Sequence, residues 1–257
     1  MPDYEIKCWN EENFDINSIS FVKEACSVRK YGFVVDYLRL HALFTEGGIY
    51  LDTDVIVKKR FDDLLFSDFF SAVEYHPSII KKENTNFLIN KDGTVKNLES
   101  GVPGIGMLVA IMGSVPGHWF IKECLDFYKN YHFILPNGEY NMKVAPGIYA
   151  EIAYKYGFRY KDTIQKLDNG MIFYPSSTLP GDIDNYTDES CAFHYCENSW
   201  ADVQVKKNFL KKLKGILSKN NYLRKILGKK SYRYKEKTIE IILNEILNND
   251  KTVHNQR

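Results

Sequence analysis

The stretch from Tyr31 to Val57, YGFVVDYLRLHALFTEGGIYLDTDVIV, constrains this chain more than any other. Val34, Val35, Leu38, Ala42 and Leu43 recur at helical spacing, which predicts a helix with one side on a core. Asp36 and Arg39, three apart, fall beside each other on a flank of that helix. Gly47 and Gly48 supply the left-handed residue that stops it. Ile49-Tyr50-Leu51 then opens a nearly continuous apolar run, the pattern of a strand buried on both faces. Asp52 and Asp54 interrupt the run. Alternation along a strand would turn both carboxylates to the same side.

Like charges brought together in a protein interior repel and are costly to desolvate. A cation between them resolves the conflict, and oxygen ligands favour a hard ion, Mg²⁺ or Mn²⁺. Two carboxylates, Asp52 and Asp54, leave its coordination shell incomplete, so water or phosphate would fill the rest. A bare Asp-x-Asp is weak evidence. Flanked by the apolar strand and preceded by the Asp36/Arg39 helix, it points to a metal-bridged phosphate ligand.

The same run resembles the sugar-nucleotide-binding DxD region of glycosyltransferase family 32, a family of bacterial capsular and surface polysaccharide transferases related to the catalytic domains of clostridial glucosylating toxins. The residues that carry the likeness are Tyr31, Asp36, Arg39, Gly47, Gly48, Ile49, Tyr50, Leu51, Asp52 and Asp54. The resemblance implies an α/β fold of the glycosyltransferase-A (GT-A) kind, Rossmann-like, with a nucleotide-sugar donor, a divalent cation (Mn²⁺ or Mg²⁺) and retention at the anomeric carbon. It implies that Asp54, assisted by Asp52, holds the cation on the donor diphosphate, with Tyr50 beside the donor. Arg39 would fix negative charge, and Asp36 would accept hydrogen bonds from sugar or ribose hydroxyls; a buried salt bridge joining helix to sheet is the plainer reading of that pair. Near the other end, AFHYCENSW, Ala192 to Trp200, is similar to a family segment that closes over the diphosphate, which would bring in His194, Ser199 and Trp200. The Trp indole N–H and the Ser hydroxyl are donors suited to phosphate oxygen.

Two departures from the family pattern stand out. Tyr4, Ile6 and Cys8 alternate with Glu5, Lys7 and Trp9 as a strand would, yet in the family this strand is usually the second; the first is absent from the sequence. The Gly-rich stretch from Gly101 to Gly113 aligns Val109 where relatives often present an Asn, so no sugar contact carries over from it. That stretch also lacks the spacing of a phosphate loop.

The near-neutral net charge hides an asymmetry. From Lys206 to Lys237 there are 13 Lys and Arg and one acid, so that 21 of the 34 bases and 32 of the 33 acids lie elsewhere. We therefore expect a catalytic domain over 1–204 and a basic helical tail over 205–257. Val205, Phe209, Leu210, Leu213, Ile216 and Leu217 recur at three and four residues among lysines, the form of a helix lying in an anionic membrane interface. Each Lys or Arg of the segment 205–237 would add about 1 kcal/mol near such a surface. Nucleic acid is the less favoured partner of that basic segment. Five cysteines without metal-ligand spacing, together with no signal peptide or transmembrane run, place the expected location in the cytoplasm, peripheral on the inner membrane.

Further elements follow from pattern: a helix over 18–30, a strand over 69–75, a hairpin turn at Lys91-Asp92-Gly93, helices over 117–131 and 146–156, and a strand at Ile172-Phe173-Tyr174. A Ser, Pro, Gly and Asp-rich loop runs from Ser176 to Asp188, a composition common beside active sites. The expected function is transfer of a hexose, from a UDP-sugar first, to a glycan or lipid-linked oligosaccharide in surface polysaccharide synthesis. Two alternatives stay open. LDTDV fits the nucleophile motif of haloacid dehalogenase-like phosphohydrolases, with Gly181-Asp182-Ile183-Asp184 as an imperfect acidic partner; and the chain could be a non-catalytic, membrane-attached nucleotide-sugar-binding protein.

Overall fold

A computed structural model describes residues 3–97 and 101–194. The tail, the expected boundary at 204, and Ser199 and Trp200 lie outside the described residues. The described part is a mixed α/β structure, compatible with a GT-A-like fold. Its main sheet has the order β1 (Gly48–Leu51), β5 (Ile111–Ser114), β3 (Phe69–Tyr75), β7 (Met171–Tyr174) and β6 (Gln165–Lys166), and β4 (Ile105–Met107) also pairs with β3. β2 (Val55–Val57) and β8 (Ala192–His194) form a separate antiparallel pair.

β5 runs antiparallel to both β1 and β3, and β3 runs parallel to β7. β1, β3 and β7 therefore point the same way. Ser114 stands opposite both Gly48 and Phe69, so β1 and β3 are level across β5 and their carboxyl ends reach one edge. In open α/β sheets, ligands bind beyond that edge.

Alternation along β3 splits the core. Phe69 and Val73 face the larger apolar cluster, with α1 (Ser20–Ser27), α2 (Tyr31–Glu46), α4 (Trp119–Tyr128) and α5 (Ala145–Tyr154) supplying Phe21, Leu40, Phe120, Tyr128 and Tyr149. Phe70 and Ala72 face a smaller cluster with Phe61, Leu108, Ile111, Leu179 and Ala192. Beyond Ala72 the same side of the strand continues into Glu74 and His76. The apolar layer thus gives way to charge at the ligand edge.

Three local expectations need correction. Tyr4 to Trp9 forms no strand: Ile6 is 92% exposed, and the segment is tethered by Lys7 to Glu46 and by an edge-on contact of Trp9 with His41. Alternation of side chains needs a neighbouring strand to become a sheet, and none is beside it among the described residues. Among the described residues β1 is half-buried at the edge of a mixed sheet, not buried on both faces. Gly47 ends α2, but at φ 68° and ψ −156°, outside the left-handed helical region and in one that essentially glycine alone occupies.

Gly113 shows how tightly the sheet centre is packed. A Cβ there would lie 1.9 Å from Cε1 of the buried Phe70 ring. Gly113→Ala is expected to cost about 1–3 kcal/mol, the usual cost of overpacking. Urea denaturation at one pH tests it, and an unchanged midpoint would contradict the packing.

Candidate metal and sugar-binding site

α2 places Asp36 and Arg39 one turn apart, facing inward under the end of β1. Both are buried. Arg39 Nη2 donates to Asp36 Oδ1 at 3.2 Å, Nη1 donates to the Val109 carbonyl at 2.7 Å, and Nε donates to the Val35 carbonyl at 3.2 Å. Nη1 also lies 3.6 Å from Asp52 Oδ1. The guanidinium thus ties the helix to the β4–β5 connection and to the first aspartate of the motif. Val109, which carries no side-chain amide, contributes through its carbonyl.

Asp36 is held from several sides. The backbone of Ala145 at the start of α5 favours its charged form, and the Tyr149 hydroxyl donates to its carbonyl. Burial pushes its carboxyl up to about 7, against the pull of Arg39; Asp52 and Glu74 add repulsion. Burial works against the Arg39 charge, but Tyr50, Asp52 and Asp36 more than offset it, so the guanidinium is held above its ordinary range. Burial likewise raises the Tyr50 phenol, whose hydroxyl donates to Asp52 Oδ1 at 2.6 Å.

The two motif aspartates converge, though not by strand alternation. β1 ends at Leu51, and Asp52 to Val55 is a turn in which the Val55 N–H donates to the Asp52 carbonyl at 3.1 Å. The chain then re-enters extended conformation as β2. In the β2–β8 register, Val55 stands opposite His194, which carries the imidazole to the turn. His194 Nε2 lies 3.2 Å from Asp54 Oδ1 and 3.8 Å from Asp52 Oδ2. One donor atom from each of Asp52, Asp54 and His194 lies within 4.8 Å of the others. Opposite ligands of one ion bonded at about 2.0–2.6 Å are separated by roughly 4–5 Å, so the three fit a single divalent cation. His194, expected over the diphosphate, stands at the carboxylates themselves and completes a group that can hold metal.

A second charged cluster lies at the same edge, around His76. His76 Nε2 is 3.0 Å from Glu74 Oε1, and Nδ1 is 3.0 Å from Asp182 Oδ2. Burial opposes charge on this ring, yet the bonds to Asp182 and Glu74 prevail and push its pKa up to about 10. Asp182, considered above for a phosphohydrolase, is therefore engaged with His76. No local signal marks this cluster, because its members lie 106 residues apart.

An acidic turn joined by a histidine, and backed by a buried Asp–Arg pair, thus lies at the carboxyl edge of the sheet, and Asp52, Asp54 and His194 could together hold a metal ion. Residues 1–70 match the family described as the glycosyltransferase sugar-binding region containing the DXD motif. The matched residues include Asp36, Arg39, Asp52 and Asp54, so this part of the chain is similar to the sugar-binding region of the DXD-containing glycosyltransferases. The glucan organizing enzyme 1 of Cryptococcus neoformans var. grubii is 31% identical over 104 residues, spanning 40% of this chain and 24% of that protein. The match thus covers about a quarter of that relative's length. No solved structure matches the chain.

Proposed function

We propose that the protein is a retaining hexosyltransferase of glycosyltransferase family 32, with a GT-A fold, acting on a nucleotide-diphosphate sugar, UDP-linked first. The observation that carries the reading is the convergence of Asp52, Asp54 and His194 at the carboxyl edge of the sheet, with Arg39 reaching Asp52 from behind. The imidazole added to two carboxylates favours Mn²⁺ over Mg²⁺, since nitrogen ligands suit transition metals. A divalent cation held by Asp52, Asp54 and His194 would supply charge neutralisation for the donor diphosphate.

The chain's own residues do the rest. Tyr50 and Arg39 fix the Asp52 carboxylate by a hydrogen bond and by charge, which keeps it from swinging away from Asp54. Arg39 is already spent on Asp36, Val109 and Val35, so it acts by orienting Asp52 and by its positive field as the diphosphate departs. Asp36, held by Arg39, offers acceptor oxygens to sugar or ribose hydroxyls. Among these residues we name no nucleophile and no catalytic base; retention then calls for attack on the same face, with the departing phosphate taking the acceptor proton. Ser199 and Trp200 would add donors to the diphosphate. The acceptor is a glycan or lipid-linked oligosaccharide, and the basic segment 205–237 would hold the enzyme to an anionic membrane face. Among the described residues, no helix is long and apolar enough to cross a membrane.

A thermal-shift panel of UDP- and GDP-sugars, each with and without Mn²⁺, tests the reading. At ligand concentrations near 100 times the dissociation constant, the matching donor should add about 2.7 kcal/mol of stability, and only with the metal present. If no donor shifts the midpoint, the reading fails.

A further inference from the structure

β8 is a three-residue strand whose strand partner, among the described residues, is β2. A two-stranded pair is marginal by itself, so the place of His194 depends on what else grips β8. The grip comes from the loop over 175–190. The Pro180 carbonyl accepts from the His194 N–H at 2.9 Å, the Thr178 carbonyl accepts from the Cys191 N–H at 2.9 Å, and Ser190 Oγ donates to the Ser177 carbonyl at 2.7 Å.

That loop is in turn fastened to the end of β3. Asp182, two residues beyond Pro180, accepts from His76 Nδ1, and Asn185 Nδ2 donates to the Tyr75 carbonyl. His76 faces a carboxylate oxygen at each ring nitrogen, and it can donate to both only as the imidazolium. A contact to a charged partner is among the stronger hydrogen bonds. The path from β3 to the acidic turn is therefore His76, Asp182, Pro180, His194.

We propose that His76 is a positioning residue: by clasping Asp182 to the end of β3, it holds the 175–190 loop so that His194 stands against Asp52 and Asp54. The proposal rests on the reading of those three residues as a cation-binding group. His76 does not touch the cation; it acts through the loop. A histidine that merely stapled the fold would lower stability without changing how the ion is bound.

The experiment uses the full chain with Mn²⁺ alone as the probe, following affinity by titration and the directly bonded imidazole nitrogen by pulsed electron paramagnetic resonance. The parent should show a coordinated nitrogen, and His194→Ala should lose it. His76→Gln should weaken Mn²⁺ binding by about tenfold, the lower range for residues that support a ligand from behind, and should diminish the nitrogen signal while the circular dichroism spectrum is kept. Asp182→Asn, which breaks the same link from the other side, should do likewise and serves if His76→Gln does not fold. On the His194→Ala background, His76→Gln should change affinity by less than about threefold, because coupled residues are non-additive. Parent-like affinity and nitrogen signal in both single variants, or a full additive loss on the His194→Ala background, would overturn the positioning role. A parent without any nitrogen signal would remove the cation reading instead, and this inference with it.

Discussion

Asp54→Asn is expected to lower sugar transfer by about three orders of magnitude, a loss of several kcal/mol of charge stabilisation, while leaving the stability of the metal-free protein nearly unchanged. The two effects separate because Asp54 sits in a turn beside another carboxylate. In the absence of a cation, neutralising one member of such a pair relieves repulsion, and the amide keeps the size of the side chain. Asp52→Asn should lose activity to a similar degree but also lose stability. Its carboxylate accepts from the Tyr50 hydroxyl and lies beside the Arg39 guanidinium, so the substitution weakens a buried network as well as the ion site. Transfer or donor hydrolysis measured across a Mn²⁺ titration, alongside urea denaturation in EDTA, distinguishes the pair. An Asp54→Asn variant with parental rates at saturating donor and metal would remove the acidic turn from the chemistry.

The contrast between these aspartates shows what can be read from a chain and what needs its fold. The helix carrying Asp36 and Arg39 is legible because spacing of three is a local property, and α2 spans Tyr31–Glu46 as the apolar period predicts. β3 is legible for the same reason, with its expected limits at Phe69 and Tyr75. The convergence of Asp52 and Asp54 is legible too, but its cause is a turn; both a strand and a tight turn bring residues two apart to one side, and composition does not separate them. His194 reaches the acidic turn through the β2–β8 register, a pairing across more than a hundred residues that no local period encodes. The Glu74–His76–Asp182 cluster is hidden for the same reason, and more deeply, since a histidine beside Pro77 carries no signal of its own. Tyr4 to Trp9 is the reverse case. Its alternation is genuine, but a strand is defined by a partner, which a single segment cannot specify.

Arg39→Met should destabilise the metal-free protein by an amount that grows with pH: about 1–3 kcal/mol near pH 5, and about 1 kcal/mol more near pH 8. The first figure is the cost of leaving buried acceptors unpaired. Arg39 serves the Val109 and Val35 carbonyls, and their loss does not depend on pH. The second figure adds at most about 1.4 kcal/mol, the worth of one pH unit of titration between pH 7 and pH 8. Its growth follows from Asp36, whose carboxyl is already pushed up to about 7 with Arg39 opposing the rise. Without Arg39 that value moves higher still. A carboxyl raised in the folded state binds a proton that the unfolded chain has released, so stability falls as pH rises from the unfolded value near 4 through the folded one. In the parent this fall ends near pH 7; in the variant it continues, and the difference between the two widens over that interval. Asp36→Asn should remove Asp36's share of the growth, since the amide does not titrate, so that Asp36→Asn/Arg39→Met differs from Asp36→Asn by an amount that varies less with pH. Urea denaturation in EDTA at pH 5, 6, 7 and 8 reads all four chains. A parent-to-Arg39→Met difference that stays flat across this series would mean that the buried carboxyl is not what Arg39 holds in place.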